Sequence, residues 1–199
     1  MKTLILDCSS TPCAAILIDG KEIVSKVSAV QSADTYLKVI DSALNDANIK
    51  IGDIDEICIN IGPGSFTGLR VALSVGKGLG FGGGLKFGKY CSFDYIDADK
   101  EIKVLPGFSN FVYVMYANKK MGCVNICDLD KKQKYVTTDM KIFNRFLELG
   151  HLVRLADKMG FEKIYNVCES VSNVHNIEPL YLRASQAEID LENKKRKNT

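Results

Sequence analysis

The stretch 69–80 constrains this chain more than any other. Its polar residues are Arg70, Ser74 and Lys77, and the rest are Leu, Val, Ala and Gly. At ~100° per residue the three polar positions fall within an arc of about 60°. A helix laid on one sheet needs an apolar stripe only somewhat wider than ~100°. The pattern therefore predicts a helix with two apolar neighbours, its own sheet and a second surface. Gly76, Gly78 and Gly80 each cost such a helix roughly 1 kcal/mol relative to alanine. That cost is tolerable where another backbone must come close.

The flanking segments read as α/β. Residues 4–8 form an apolar strand, 13–18 a second and 23–30 a third, with Asp19-Gly20 as the turn between the last two. A three-strand antiparallel meander therefore opens the fold. Residues 33–48 follow as a helix, with Tyr36, Leu37, Ile40, Ala43, Leu44 and Ala47 on one face and Lys38, Asp41, Asn45 and Asn48 on the other. Ser32 suits its N-cap and Asp34 its first turn. Residues 57–61 read as a buried strand. Gly62-Pro63-Gly64-Ser65 then breaks the chain, and the helix begins near Thr67 or Gly68 and ends at Gly82-Gly83-Gly84. Further on, strands are expected at 86–92 and 102–105. An antiparallel pair is expected at 111–116 and 122–127, turning at Asn118-Lys119-Lys120. Helices are expected at 141–149 and 151–159, with Gly160 as C-cap, then a strand at 163–167 and a short helix ending near Leu191. The basic tail 191–199 reads as unordered. No internal repeat is long enough to detect.

Composition excludes several chemistries. There are 26 Lys+Arg against 24 Asp+Glu, a net charge of +2, so nothing pushes the whole chain toward nucleic acid or membrane. No apolar run approaches a membrane span, and the start of the chain carries no signal-peptide pattern. The 7 cysteines are scattered with no C-x-x-C, which reads as reduced thiols used as small apolar residues. With only 2 histidines, metal clusters and histidine-activated nucleophiles have little to draw on. Gly62 and Gly64 begin a dinucleotide fingerprint, but its third glycine falls at Gly68, one residue late. Gly83 to Lys89 matches a Walker A loop until Tyr90 stands where a small hydroxyl is required. Gly64-Ser65-Phe66-Thr67-Gly68 lacks the spacing of a nucleophile elbow. No catalytic residue, metal site or cofactor is assigned. Asp7-Cys8-Ser9-Ser10-Thr11, after the first strand, resembles the first phosphate loop of actin-like ATPases and sugar kinases. Ser9 stands where that loop has glycine. Asp7 and Ser9 read either as a vestigial phosphate loop or as local turn caps.

The segment Gly62-Pro63-Gly64-Ser65-Phe66-Thr67-Gly68-Leu69-Arg70 closely resembles the signature of the bacterial tRNA threonylcarbamoyladenosine biosynthesis family TsaB, also called YeaZ-like. The opening Asp7-Cys8-Ser9-Ser10, the helical Val75-Gly76-Lys77-Gly78-Leu79 and the late Pro179-Leu180-Tyr181-Leu182-Arg183 agree with the same family. The resemblance is strong over 1–85, weak over 86–175 and returns at 179–183.

It implies a two-lobed actin-like (RNase H-like) α/β ATPase-domain fold. The first lobe would span 1–100 and carry the partner-binding helices; a smaller second lobe would span 101–190. It also implies a cytoplasmic, non-catalytic subunit in tRNA threonylcarbamoyladenosine synthesis. Such a subunit binds and activates the TsaD threonylcarbamoyltransferase as a heterodimer, with TsaE in a larger assembly and tRNA reached through the complex. A homodimer through the same helices is open. The interface residues expected are Tyr36, Leu37, Ile40, Leu44, Leu69, Ala72, Leu73, Gly76 and Gly80, and changes at Leu73 or Gly76 are expected to abolish partner binding without unfolding the chain. Departures from the family at Ser32-Ala33-Asp34 and Gly107-Phe108-Ser109 bear on surfaces of the second lobe. Two other readings compete: a small ATPase, kinase or peptidase-like enzyme of the same fold using Asp7, and a self-associating protein independent of TsaD.

Overall fold

A computed structural model describes residues 1–30, 33–98, 100–157 and 160–183. Ser32, the end of the expected helix at Met159, the short helix ending near Leu191 and the tail 191–199 lie outside the described residues. Two sheets carry the architecture. The first contains β1 (Lys2–Asp7), β2 (Cys13–Asp19), β3 (Glu22–Ala29), β4 (Glu56–Asn60), β5 (Lys86–Tyr90) and β11 (Glu169–Val171), in the order β11-β5-β4-β1-β2-β3. The second contains β6 (Ile102–Pro106), β7 (Phe111–Met115), β8 (Met121–Asn125), β9 (Lys134–Thr137) and β10 (Leu152–Leu155), in the order β10-β9-β6-β7-β8. Helices α1 (Ala33–Asp46), α2 (Phe66–Gly83), α3 (Met140–Glu148) and α4 (Phe161–Val167) complete the elements.

The opening meander is as the sequence predicts: β1 pairs antiparallel with β2, and β2 with β3. β1 then pairs parallel with β4, and β4 with β5. The second sheet repeats this logic, because β6, β7 and β8 form an antiparallel meander while β6–β9 and β9–β10 are parallel. The two sheets of this α/β fold are thus built on one topology, a repeat that the residues do not display. β1 is buried on both faces. Leu4 and Leu6 join Ile57, Ile59, Ala72 and Leu73 beneath α1 and α2. Ile5 faces the other way, toward Ile16, Cys58, Tyr90, Phe161 and Ile164. A two-sided apolar strand is what the centre of a sheet covered on both faces requires.

Three expectations in the second half are overturned. Residues 152–155 form β10, not a helix, with Leu152 opposite Lys134 and Leu155 opposite Thr137 in parallel register. Gly150, at φ +78°, turns the chain out of α3, and Arg154 reaches back to Glu101 at 2.7 and 2.9 Å. Tertiary pairing overrides a local helical period here. Gly160 is the N-cap of α4, not a C-cap. Residues 163–167 belong to that helix, because Phe161 and Ile164, one turn apart, both bury against the first sheet. α4 and β11 thereby return the chain to the first sheet, although their sequence numbers place them within the span expected for the second lobe. One pair of cysteines also departs from expectation: Cys58 and Cys168 are disulfide-bonded across 110 residues, while Cys8, Cys13, Cys91, Cys123 and Cys127 are free.

His151 sits in the second lobe, 4% exposed, against the rings of Tyr135 and Phe146 at 5.6 and 5.0 Å. Burial chiefly holds its pKa below the usual value. The folded protein therefore binds this proton more weakly than the unfolded chain. The associated stability is complete above the unfolded value of about 6.5 and is lost as pH falls from there through the lowered folded pKa. Melting temperatures measured from pH 8 to 5 should fall less steeply in His151→Phe than in the wild type. Parallel curves would remove the assignment.

Candidate functional site

The signature loop is held by hydrogen bonds to the end of β1. The Ser65 amide donates to the Ser9 carbonyl at 2.7 Å. Gly64 lies so close that a Cβ there would strike the Ser9 carbonyl oxygen and approach its carbon to 2.8 Å. Gly62 adopts φ +103°, its amide donating to Asn60 Oδ1 at 2.8 Å. Asn60 also accepts from Ser92 Oγ at 3.1 Å, and its Nδ2 donates to Ser9 Oγ at 3.1 Å. Ser65 Oγ then accepts from the Gly68 amide at 3.2 Å and caps α2, so the helix starts at Phe66, one or two residues earlier than the sequence suggests.

Asp7 is enclosed by the chain itself. Its Oδ1 accepts from the Ser9 amide at 2.9 Å and from Ser9 Oγ at 2.7 Å. Its Oδ2 accepts from Tyr90 at 3.2 Å and from Tyr95. Burial, and then the Asp7 charge, raise both tyrosine pKa values, which keeps the hydroxyls protonated as donors. Asp7 is 6% exposed and Ser9 9%. In this arrangement the carboxylate caps the turn and accepts from groups in the core.

Two concavities border this loop. Between the lobes lies a cleft of about 590 Å³, with Ser10, Gly64 and Phe66 on one wall and Phe108, Tyr113 and Asp139 on the other. The starts of α2 and α3 both open onto it, and the Arg183 guanidinium lies 3.9 Å over the Phe108 ring at its edge. On the outside of the first lobe, α1 and α2 frame a groove of about 550 Å³, lined by Leu37, Phe66, Thr67, Arg70, Val71, Ser74 and Val75. Phe66 stacks on Tyr181 at 4.6 Å. Arg70 lies 4.0 Å over Phe66 and donates from Nε to the Tyr181 hydroxyl at 2.8 Å.

The expected interface residues divide between inside and outside. Tyr36, Ile40, Leu44, Leu69, Ala72, Leu73, Gly76 and Gly80 are buried in the chain's own core. A Cβ on Gly76 would stand 2.7 Å from Ile59 Cδ1, and one on Gly80 would enter the Phe87 ring. The expectation that Leu73 and Gly76 can be changed without disturbing the fold is therefore corrected, since both sit against the sheet. Leu37 faces solvent at 49% exposure. The surplus apolar arc of α2 is present but lies one step round the helix, at the half-buried Val71, Val75 and Leu79. Sequence reasoning gave no role to Tyr181 or to Asn60, Ser92, Tyr90 and Tyr95. Only Tyr181 carried a signal, inside the Pro179–Arg183 motif.

Residues 19–95 match the profile of the family described as TsaD, tRNA N6-adenosine threonylcarbamoyltransferase. TsaB of Haemophilus influenzae is 32% identical over 84 residues, covering 41% of this chain and 36% of that protein. Over that stretch this chain is similar to TsaB. The TsaD of Clostridium botulinum strain 657 is also 32% identical over 89 residues, covering 36% of this chain and 26% of that enzyme. The match thus spans about a third of the TsaB relative and a quarter of the TsaD relative. Two solved structures from Pseudomonas aeruginosa share the fold at 16% identity. One, described as an uncharacterized protein similar to peptidase YeaZ, gives a TM-score of 0.70 over 92% of this chain and 99% of its own. The other, YeaZ, gives 0.66 over 91% and 99%. The matched span 19–95 contains the signature loop and both groove helices. Among the described residues no helix is long and apolar enough to cross a membrane, and no group of three or more His, Cys, Asp or Glu could hold a metal ion.

Proposed function

We propose that this chain is a non-catalytic scaffold subunit in tRNA threonylcarbamoyladenosine synthesis, which binds and activates a TsaD-type threonylcarbamoyltransferase through the α1–α2 groove. The open apolar groove carries this reading. Leu37, Val71 and Val75 leave apolar surface at the junction of two helices, where a partner helix can be received ridge into groove. The TsaD profile matches 19–95, a span that includes both helices, so a TsaD-type partner would present an equivalent helix pair. Such a pairing is pseudo-symmetric and closes on itself. TsaE and tRNA would then join at surfaces of the assembled pair, in the cytoplasm. The lobe division after residue 100, with α4 and β11 returning to the first sheet, belongs to the same proposal.

The decisive substitution is Val75→Glu. It places a charge in a surface that association would desolvate, at a cost of about 2–4 kcal/mol, or roughly thirty- to thousand-fold in affinity. Co-expression with the cognate TsaD, size-exclusion and a tRNA modification assay should show the complex and its activity lost while the isolated chain still folds. An intact complex with Val75→Glu and with Leu37→Asp would refute the groove assignment. A tight homodimer that TsaD cannot exchange into would favour self-association through the same groove.

A further inference from the structure

Cys168 sits at the C-cap of α4, one residue before β11, and its sulfur is bonded to that of Cys58 on the central strand β4. Neighbouring residues leave room for this bond. A Cβ on Gly88 of β5 would lie 2.6 Å from Cys168 Sγ and 3.4 Å from Cys58 Sγ, so the absent side chain makes the space the two sulfurs occupy. The bond holds a segment whose other anchors are modest. β11 pairs with β5 over Glu169, Ser170 and Val171, and the first two are exposed. The Lys89–Glu169 ion pair, at 3.5 Å, involves a carboxylate that is 71% exposed. Beyond β11 the chain buries Val174 and Ile177, the Leu180 amide donates to the Ile61 carbonyl at 2.7 Å, and Tyr181 reaches Phe66 and Arg70.

We propose that the Cys58–Cys168 disulfide is a redox-sensitive staple that fixes the returning segment 161–183 to the first sheet and so sets the Tyr181–Phe66–Arg70 stack at the edge of the groove. The two sulfurs differ in access: Cys58 is fully buried, whereas Cys168 is half-buried. A thiolate of a dithiol reductant attacks Cys168 Sγ, the S–S bond breaks, and Cys58 leaves as a thiolate that takes up a proton. The second thiol of the reductant then attacks the mixed disulfide and releases Cys168. The protein gains two electrons and two protons, and the dithiol ends as its own disulfide. Burial raises the Cys8 thiol pKa strongly and that of Cys91 to about 12, which leaves those thiols poor competitors in the exchange.

The full chain, purified without reductant and blocked with N-ethylmaleimide, should yield on non-reducing digestion a linked peptide pair containing Cys58 and Cys168. On adding dithiothreitol, amide exchange over 169–181 should become at least tenfold faster, while exchange over 102–115 stays the same. Cys168→Ser should show the fast pattern without reductant, and Cys127→Ser the slow one. If Cys168→Ser does not fold, wild type with and without dithiothreitol decides alone. Maleimide on both Cys58 and Cys168 in the unreduced, denatured chain would overturn the proposal, as would exchange over 169–181 that reductant leaves unchanged.

Discussion

Alanine at position 64 should destabilise the protein by about 3 kcal/mol, the upper end of what an added methyl costs in a packed site. The new Cβ meets the Ser9 carbonyl oxygen, a backbone atom that no rotamer change can move aside. Relief requires parting the signature loop from the end of β1. That breaks the bond from the Ser65 amide to Ser9 and loosens the N-cap of α2. For a chain of this size the loss corresponds to a fall of roughly 6–12 °C in Tm. Gly78→Ala is the control, because a Cβ there has nothing within 4 Å. In that open helical position alanine should hold or raise Tm, with a gain of about 0.5–1 kcal/mol. Matching curves for Gly64→Ala and wild type would show that the loop is not packed as described.

Asp7→Ala should be at least as damaging, and for a reason unrelated to nucleotide. It removes the acceptor for the Ser9 amide, the Ser9 hydroxyl and the hydroxyls of Tyr90 and Tyr95, all in the interior. Buried donors without partners cost about 1–3 kcal/mol each, partly recovered by relaxation, so a loss of about 3–5 kcal/mol is expected. Thermal and urea melts should both register it, while Asp7→Asn, which keeps one acceptor oxygen, should lose less. The opposite result, an unchanged melt combined with loss of Mg-ATP binding by calorimetry, would restore Asp7 as a phosphate-loop acid and favour the enzyme reading.

Much of the first lobe was legible because its signals are local. Apolar runs broken at Asp19-Gly20 specify the meander, and a helical period over 33–48 specifies α1. The Gly62–Arg70 motif marks the turn into α2, and Ser65 places the helix start once its hydroxyl is seen to cap. The period of α2 also revealed that its apolar arc was too wide for one sheet. It could not say which part of that arc faces inward, because Leu, Val, Ala and Gly look alike to a periodicity count. Gly76 and Gly80 turn inward because Ile59 and Phe87 fill the space their side chains lack. What the sequence hid depends on partners distant in the chain. Residues 152–155 are a strand only because β9 lies beside them, and Cys58 finds Cys168 only after α4 turns back to the first sheet. Tyr181 reaches Phe66 and Arg70 across more than a hundred residues, a contact no local pattern announces.

Ile59 and Phe87 enter the gaps left by Gly76 and Gly80 like two pegs set about one turn apart. A helix pegged twice can neither roll nor slide on its sheet without tearing closely fitted side chains apart. At the leading end of the same helix the Ser65 amide donates to the Ser9 carbonyl beside the interlobe cleft. One pegged helix thus borders both the outer groove and the gap between the sheets, and Phe66 at its start lines the two.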